Sequence, residues 1–561
     1  MKDIEEISRR IEIKKRQFRE LFSKDDGNYD LWRGKEQIFD THKMFINITR
    51  TKLISLASKV LASMIRSRLQ VTVLPPDKYP APDAYAMANQ EERMYYYIFD
   101  QANKKLRNMG ETKLLPSLVW QATVLGRVAV RVLVYQDEEI VWDLLPLNPR
   151  FLTFSFGHNG LSWANYETFR SAENIEEEYG VEVDDREGKG VAVCDYWDRK
   201  HNVRFLSKDK KMLGKPWKNI LGEVPIIIEA VNAGPKIMDE TGIRVTNWGE
   251  SIFDPVKVAF KKLNQMTSIA ATHAHKLAAN PEVYKYPEGQ EPVLEEDAMR
   301  ASGFIKIPNT HSLEGLRVPD IPNSLMVMIR TLETDIEQAT FAELFPDQPP
   351  HSGSGLRILG QAKADFLNPR IDVLNDIYER ICHMIKRQII LQGLTIPVKT
   401  VVDNTYQIYN MVPELLENDF YVHASFVRQD VYDEVEALQR AQMLMQLRLK
   451  SREDVMENVM QEQDPQTQMA KMDIEDVEAN IPELKIKRAI KIYKERGMEE
   501  EAGMAEEQLA LAEFQKRLQV EQMFTQSQGQ TQGQQGGMLQ EGAPPTQQGG
   551  MPAEEAPPME V

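Results

Sequence analysis

The chain has 561 residues, of which 42% are apolar, and its formal net charge at pH 7 is -17. This length is too great for one hydrophobic core and indicates three or four substructures. The acidic balance disfavours a protein that grips nucleic acid over a broad basic surface, because Lys and Arg drive phosphate binding, but it allows a protein that DNA passes through.

Targeting and redox signals are weak. Cys194 and Cys382 lie far apart and predict neither a disulfide framework nor a metal framework, which favours a reducing compartment. The charged N-terminus does not resemble a signal peptide. No apolar run approaches the ~18 residues that a bilayer span needs. A soluble protein made in the cytoplasm is therefore expected.

The first 250 residues mix helical and strand-like patterns. Residues 1–23 predict a charged helix that ends in the turn Asp25-Asp26-Gly27-Asn28. Residues 44–66 predict an amphipathic helix, QVTVL a short strand, and residues 84–109 and 112–124 two more helices. Alternating branched residues from Gly126 to Phe154 indicate paired strands, which continue over 161–230 around a helix near 171–179.

The stretch from Ser251 to Arg357 organises the rest of the chain. Apolar residues recur there at steps of four and three and share one helical face: Val256, Phe260, Leu263, Thr267, Ala270, Ala274 and Leu277. A polar face follows one position along: Lys257, Lys261, Asn264, Ser268, Thr272 and His275. Asp254 is the expected N-cap, and Pro255 is expected at the first helical position.

A second amphipathic run starts after Pro322 and repeats the same spacing at Leu325, Ile329, Leu332, Ile336 and Ala339. The sequence FPDQPPHSGSGLRILG follows, and its Pro and Gly content predicts a loop. Two half-buried helices that flank an insert and end in a loop indicate a subunit of a larger assembly.

The remainder divides into three parts. Residues 356–392 predict a long helix with a candidate break at Asn368-Pro369, and strand-like segments occupy roughly 396–428. Helical patterns extend from Tyr432 to about Phe524. The Gln-, Gly- and Pro-rich end has no Lys or Arg and little to bury, which predicts disorder.

Catalytic signatures are missing from the sequence. The Gly-Lys pairs lack the upstream glycine and the following Ser or Thr of a phosphate loop, and no zinc-ligand spacing occurs. His273 and His275 are two residues apart on a helix and point in different directions. Ser352-Gly353-Ser354-Gly355 lacks the spacing of a nucleophile elbow. We therefore expect no enzyme, no cofactor and no metal site.

The order of these elements over residues 40–470 resembles the portal proteins of tailed bacteriophages, which form a ring, usually of twelve subunits, at one capsid vertex. The segments that carry the resemblance are Asn47 with ITRTKLISLASKVLASMI, LPLNPRFLTF, Gly249-Glu250-Ser251, LNPRIDVLNDIYERI and LKSREDVMENVMQEQDPQTQ. Their order and spacing are the informative part, since none is specific alone.

The resemblance implies an α+β subunit with a defined order of parts. Residues 1–250 form the N-terminal region and wing, 251–279 the first stem helix, 280–321 a small α/β clip, and 322–343 the second stem helix. Residues 344–357 form the tunnel loop, 358–429 the long helix and the return to the wing, and 430–524 the helical crown. Composition assigns 525–561 to a disordered tail.

The resemblance also implies a function in the virion: passage of double-stranded DNA during packaging and ejection, without sequence specificity. The implied partners are other copies of the chain, the terminase large subunit, a head–tail adaptor, and the major capsid and scaffolding proteins. The ATPase would belong to terminase, which agrees with the missing phosphate loop.

Three groups of candidate residues follow. The tunnel loop comprises Pro346, Asp347, Gln348, Pro349, Pro350, His351, Ser352, Gly353, Ser354 and Gly355. Candidate basic residues of the stem or channel are Lys257, Lys261, Lys262 and Lys276, for which a solvated outer face or salt bridges to Glu333 and Glu337 are equally consistent. Candidate clip residues that face the motor or adaptor are Glu288, Glu291, Glu295 and Glu296.

Two alternatives stay open at the level of sequence. The chain is also compatible with another structural protein of the virion, such as a minor head or connector protein. A nucleic-acid-processing enzyme with a metal site built from carboxylates is the alternative from a different class, because acidic residues are abundant.

Overall fold

The computed structural model describes residues 4–35, 39, 46–76, 82–185, 188–232, 249–279, 283–289, 305–310, 322–339, 353–402 and 405–427, and after these 438, 441–447, 455, 472, 486–487, 490, 503–512, 514 and 517. The chain divides into two compact units, Met1–Asp433 and Glu434–Val561. Helices and sheets both occur, which confirms the mixed α+β class.

The helices of the described residues are α1 (Ile4–Gln17), α2 (Arg19–Arg33), α3 (Lys52–Ile65), α4 (Pro82–Asn108), α5 (Leu114–Trp120), α6 (Ala172–Tyr179), α7 (Lys257–Ala279), α8 (Asn323–Ala339), α9 (Gly353–Gln392) and α10 (Pro413–Leu416). The strands are β1 (Arg68–Leu74), β2 (Arg127–Gln136), β3 (Ile140–Pro146), β4 (Leu152–Gly157), β5 (Gly160–Arg170), β6 (Val191–Asp198), β7 (His201–Leu206), β8 (Trp217–Lys218), β9 (Ile226–Ala230), β10 (Val283–Tyr286), β11 (Ile305–Pro308), β12 (Ile396–Val402), β13 (Thr405–Met411) and β14 (Tyr421–Val427).

The strands of the described residues form two larger sheets and three strand pairs. One sheet has the order β3-β2-β9 and the other the order β4-β5-β6-β7-β8, and all neighbours in both are antiparallel. β1, which lies early in the first unit, pairs with β14, which lies near the end of its described residues. β12 and β13 form an antiparallel hairpin, whereas β10 and β11 pair in parallel.

The main core of the first unit lies between the β3-β2-β9 sheet and the helices α3, α4, α5 and α9. The apolar face of α9 recurs at helical spacing in Leu374, Ile377, Ile381, Ile385 and Ile389, all buried. The buried Gln388 amide adds a polar contact to this face: its Oε1 accepts from Val134 N and its Nε2 donates to Val132 O, both at 2.8 Å. One side chain of α9 thus serves as a hydrogen-bonding neighbour for the end of β2.

The prediction of a turn at residues 25–28 is wrong. Helix α2 runs through Asp25, Asp26, Gly27 and Asn28 and ends at Arg33, before Gly34, whose φ is 65°. Asp25 and Asn28 are buried and engaged with residues distant in sequence. These tertiary contacts outweigh the local turn preference of the four residues.

Two other helix boundaries also differ from expectation. The helix expected from residue 44 begins at Lys52, and residues 46–50 are not helical. Helix α9 passes through Pro369 without a break. Buried Leu367, Ile371 and Leu374 on either side anchor α9, and their burial offsets the cost of about 3 kcal/mol that proline imposes on a helix interior.

In the second unit, residues 441–446 and 503–512 are helical. None of the helices formed by the described residues is both long enough and apolar enough to cross a bilayer. The Gln-rich segment 525–561 lies outside the described residues.

Candidate functional site

Helices α7 and α8 pack against each other, which brings the two predicted stem segments together. Phe260 and Leu263 of α7 and Ile329 and Ile336 of α8 are buried, so the 4-3 repeat marks the inward face of both helices. The rise per residue makes α7 ~34 Å and α8 ~26 Å long.

The polar face of α7 is not wholly solvated, because part of it binds the extended segment 46–50. Thr272 Oγ1 accepts from Ile46 N at 2.9 Å, Ser268 Oγ accepts from Ile48 N at 2.9 Å, and Asn264 Oδ1 accepts from Arg50 N at 3.2 Å. Asn264, Ser268 and Thr272 are all buried.

The spacing of these bonds has a geometric basis. Four helical residues rise about 6.0 Å, and two extended residues span about 6.6 Å. Every fourth residue of α7 therefore meets every second residue of the segment, and the two run antiparallel. Asn47, which faces away from this stripe, binds Phe39 through its amide, donating to Phe39 O and accepting from Phe39 N at 3.0 Å each.

The chain enters α7 through a tight crossing of two glycines. Gly126 and Gly249 have φ angles of 72° and 95°, and a Cβ on either would collide with the backbone of the other segment. Ser251, buried beside this crossing, donates from Oγ to Val124 O at 2.6 Å. Ile252 N donates to Thr123 O at 3.0 Å. The Gly249-Glu250-Ser251 sequence thus ties the chain entering α7 to the end of the π turn at Gln121–Leu125.

The N-cap expected at Asp254 is wrong, because residues 252–256 form turns and α7 begins at Lys257. Asp254 instead accepts from Ser251 N at 2.7 Å and pairs with Lys24 at 2.7 Å. Its carboxylate therefore joins the entry of α7 to α2.

Asp25 of α2 forms an ion pair with Arg127 at the start of β2, and each side chain is 1% exposed. Burial raises the pKa of Asp25 to about 6, and the attraction of Arg127 opposes this rise. Burial likewise lowers the pKa of Arg127, and Asp25 opposes that change. The ion pair fixes α2 beside the glycine crossing. Burial at this position disfavours the charged forms of both side chains.

The four candidate stem lysines have different surroundings. Lys257 Nζ donates to Asn28 Oδ1 at 2.9 Å and to Lys24 O at 3.1 Å, and burial lowers its pKa. It packs against Gly27, where a Cβ would lie 2.7 Å from Nζ. Lys257 therefore joins α7 to α2 within the chain.

Lys261 and Lys262 are exposed, and Lys262 Nζ donates to Gln265 Oε1 at 3.2 Å. The side chain of Lys276 lies outside the described residues. On the neighbouring helix, Glu333 pairs with Arg50 and Glu337 with Lys52. The partners shown for these two carboxylates thus flank the start of α3, a connection that the sequence did not indicate.

The outward side of α8 carries apolar residues that no part of the described chain covers well. Met326, Val327 and Met328 are 41%, 62% and 43% exposed. On α7, Val258 is 82% exposed. The sequence held a signal for this surface: five consecutive apolar residues, 325–329, make α8 apolar around its whole circumference there, which is typical of a helix covered on all sides.

The clip region is described only in part. The expected strands appear as β10 and β11, and they form a parallel pair of four residues each. Glu288 is exposed in the turn after β10. Glu291, Glu295 and Glu296 lie outside the described residues.

The prediction of a tunnel loop is wrong at its C-terminal end. Gly353, Ser354 and Gly355 belong to α9, so they are helical rather than part of a loop. Pro346, Asp347, Gln348, Pro349, Pro350, His351 and Ser352 lie outside the described residues.

Within the described ranges, no three His, Cys, Asp or Glu side chains are grouped as metal ligands would be. Cys194 and Cys382 are both buried and free, and burial raises the pKa of each thiol, that of Cys194 to about 11. The described site offers packing surfaces and a firmly anchored helix pair.

No protein-family model matches the chain, and no curated protein matches it.

Proposed function

We propose that this chain is the portal subunit of a tailed bacteriophage, a ring-forming protein of the capsid vertex through which double-stranded DNA is packaged and ejected. The observation that carries the proposal is the uncovered apolar surface of the α7–α8 pair: Val258, Met326, Val327 and Met328. A helix pair anchored on one side and apolar on the other requires a neighbour, and a second copy placed by rotation supplies one.

The β10–β11 pair supports the same assembly. Among the described residues, these two parallel strands of four residues have no further strand beside them, and parallel sheets occur almost only when covered. Strands from adjacent subunits would close the edges of this pair and interlock the ring at the clip.

The charge of the chain suits a channel through which DNA slides. Each strong phosphate contact would act as a barrier to movement, and twelve copies at -17 each would carry roughly -200 in total. Lys261 and Lys262 are the remaining described candidates for damping contacts with the duplex. The loop 346–352 would act on DNA mainly by steric contact, since Asp347 and His351 are its ionisable residues.

The proposed ring needs partners but no catalytic centre of its own. The terminase large subunit would supply ATP hydrolysis, and it would dock at the clip before the head–tail adaptor replaces it. Major capsid and scaffolding proteins would surround the ring in the virion. The acidic residue Glu288 and its sequence neighbours Glu291, Glu295 and Glu296 are the residues to test against terminase.

Negative-stain microscopy of the purified chain tests this proposal. We expect rings with a central hole, usually of twelve subunits. A monodisperse monomer at high concentration would overturn the proposal. Metal-dependent nuclease activity of the pure chain would favour a carboxylate-metal enzyme, and stable association with capsid protein without rings would favour a minor head or connector protein.

A further inference from the structure

Residues 200–220 form a basic segment in an acidic protein. They include six lysines and one arginine against one acidic residue, Asp209, whereas the whole chain carries -17. The lysines are Lys200, Lys208, Lys210, Lys211, Lys215 and Lys218. We call this segment the basic border.

The fold places the basic border along one edge of the five-stranded sheet. After β7, the chain turns and returns beside it: Leu206 N donates to Lys211 O, Leu213 N donates to Arg204 O, and Asn219 N donates to Lys200 O, each at 2.8 Å. The six lysines are all exposed. Across the part of the chain that the structure describes, none of the six forms an ion pair, so their charges are available to a ligand.

Two large apolar side chains stand among these lysines. Trp217 is 54% exposed and Ile220 is 59% exposed. The guanidinium of Arg204 lies 5.5 Å from the centre of the Trp217 ring, and Arg204 is itself held by Asp195 and Glu178, each at 3.7 Å. The indole is thus positioned at the surface rather than folded inward.

Protection of a sheet edge explains only part of this pattern. Lys218 and Pro216 would deter pairing with another strand. Lys208 lies in the turn after β7, Lys210 and Lys211 follow it, and an exposed tryptophan would favour association rather than prevent it.

We propose that the basic border binds the phosphate backbone of nucleic acid without sequence preference. Lysine ammonium groups on flexible side chains are point charges that suit phosphates at variable positions. The six residues of β7 span about 20 Å, which matches about six base pairs at 3.4 Å per step along one strand. That the ligand is duplex DNA rests on the proposed function; the surface itself does not depend on it.

The test is fluorescence anisotropy of the full-length chain with labelled 20-base-pair duplexes of two unrelated sequences, at several salt concentrations. The patch variant carries Lys208→Gln, Lys211→Gln and Lys215→Gln. The matched control carries Lys35→Gln, Lys113→Gln and Lys399→Gln, which are exposed lysines elsewhere with the same total change of charge.

Both duplexes should bind with similar affinity. Each phosphate contact contributes about 0.9 to the salt slope, so the patch variant should lose about 3 from that slope and as much as about 500-fold in affinity at 0.1 M salt. The control should change far less. Equal losses in both variants, or no binding by the unmodified chain, would overturn the proposal.

Two further arms identify the source of the phosphates. Trp217→Ala should leave duplex binding unchanged, and a selective loss of single-strand binding would instead assign the surface to stacked, unpaired bases. Lysine-dependent binding to phosphatidylserine vesicles in place of DNA would overturn the nucleic-acid assignment. Ring formation is measured separately. Rings whose DNA binding does not depend on the lysines of the basic border would refute only this inference. A monomer whose DNA binding does depend on them would refute only the portal proposal.

Discussion

Replacing Val327 by glutamate on the outward face of α8 should prevent assembly of the proposed ring while leaving the subunit folded. Val327 is 62% exposed in the single chain, and its α8 neighbours Met326 and Met328 are 41% and 43% exposed. Full burial of such a side chain is worth about 1.5–3 kcal/mol, so covering the exposed portions of all three contributes about 2–4 kcal/mol per subunit interface.

The substitution Val327→Glu removes part of that contribution and introduces a carboxylate whose desolvation costs several kcal/mol. A loss of 3 kcal/mol or more at each interface weakens each association constant by more than about 100-fold. Because a closed ring depends on every interface at once, we expect monomers or short open oligomers.

Mass photometry and negative-stain microscopy measure the outcome, and circular dichroism checks that the subunit remains folded. The matched control is Gln338→Glu, which adds the same charge to an exposed polar position on the same side of α8 about three turns later. Intact rings in the Val327→Glu variant would refute the reasoning, because they would show that this face of α8 meets solvent in the assembly.

Three further predictions concern the anchors of α7. Gly249→Ala or Gly126→Ala should destabilise the crossing by several kcal/mol, since the new Cβ meets backbone, and thermal unfolding should shift to lower temperature; an unchanged melting temperature would contradict this. Ser268→Ala should leave the half-buried Ile48 N–H without its side-chain acceptor at a cost of about 1 kcal/mol, seen as faster hydrogen exchange at Ile48, while exchange in α4 should stay unchanged. The pKa of Asp25 is about 6 in the folded chain against an ordinary value of 3.8, so its carboxyl group contributes stability that is fully present below pH 3.8 and is lost as the pH rises through 6, about 3 kcal/mol in all. The protection of α2 amides from hydrogen exchange in the unmodified chain, relative to the Asp25→Asn variant, should therefore fall across that pH range. A difference that does not change with pH would contradict the raised pKa.

The sequence predicted the elements whose apolar residues follow a single period. The spacing at Phe260, Leu263, Ile329 and Ile336 correctly gave the inward faces of α7 and α8, because burial of one stripe decides such helices. The alternation of branched apolar residues likewise predicted β2, β3 and their neighbours, because burial of one face decides such strands.

The sequence failed where a distant partner decides the local structure. Asp25 and Asn28 favour a turn by their chemistry, but Arg127 and Lys257 hold them in a helix. Residues 46–50 carry a helical pattern, yet the buried stripe on α7 binds them in extended form. In each case the deciding residue lies more than 100 positions away, so no local period could reveal it.

The outward face of α8 and the basic border were missed for a different reason. The apolar run at 325–329 interrupts the amphipathic pattern rather than extending it, and a period search discards such interruptions. The lysines between 200 and 218 are diluted by a strongly negative total, so a sum over the chain conceals them.

Helix α7 is attached to the first fifty residues of the chain at two separate levels. Lys257 meets Asn28 at its beginning, and Asn264, Ser268 and Thr272 hold residues 46–50 further along. The second level lies ~10 to ~22 Å beyond the first along the helix axis. A rod fixed at two points cannot tilt without moving what it is fixed to. Any pivoting of α7 must therefore carry α2 and the start of α3 with it. A displacement at one end of α7 would thus move these N-terminal helices as a rigid body.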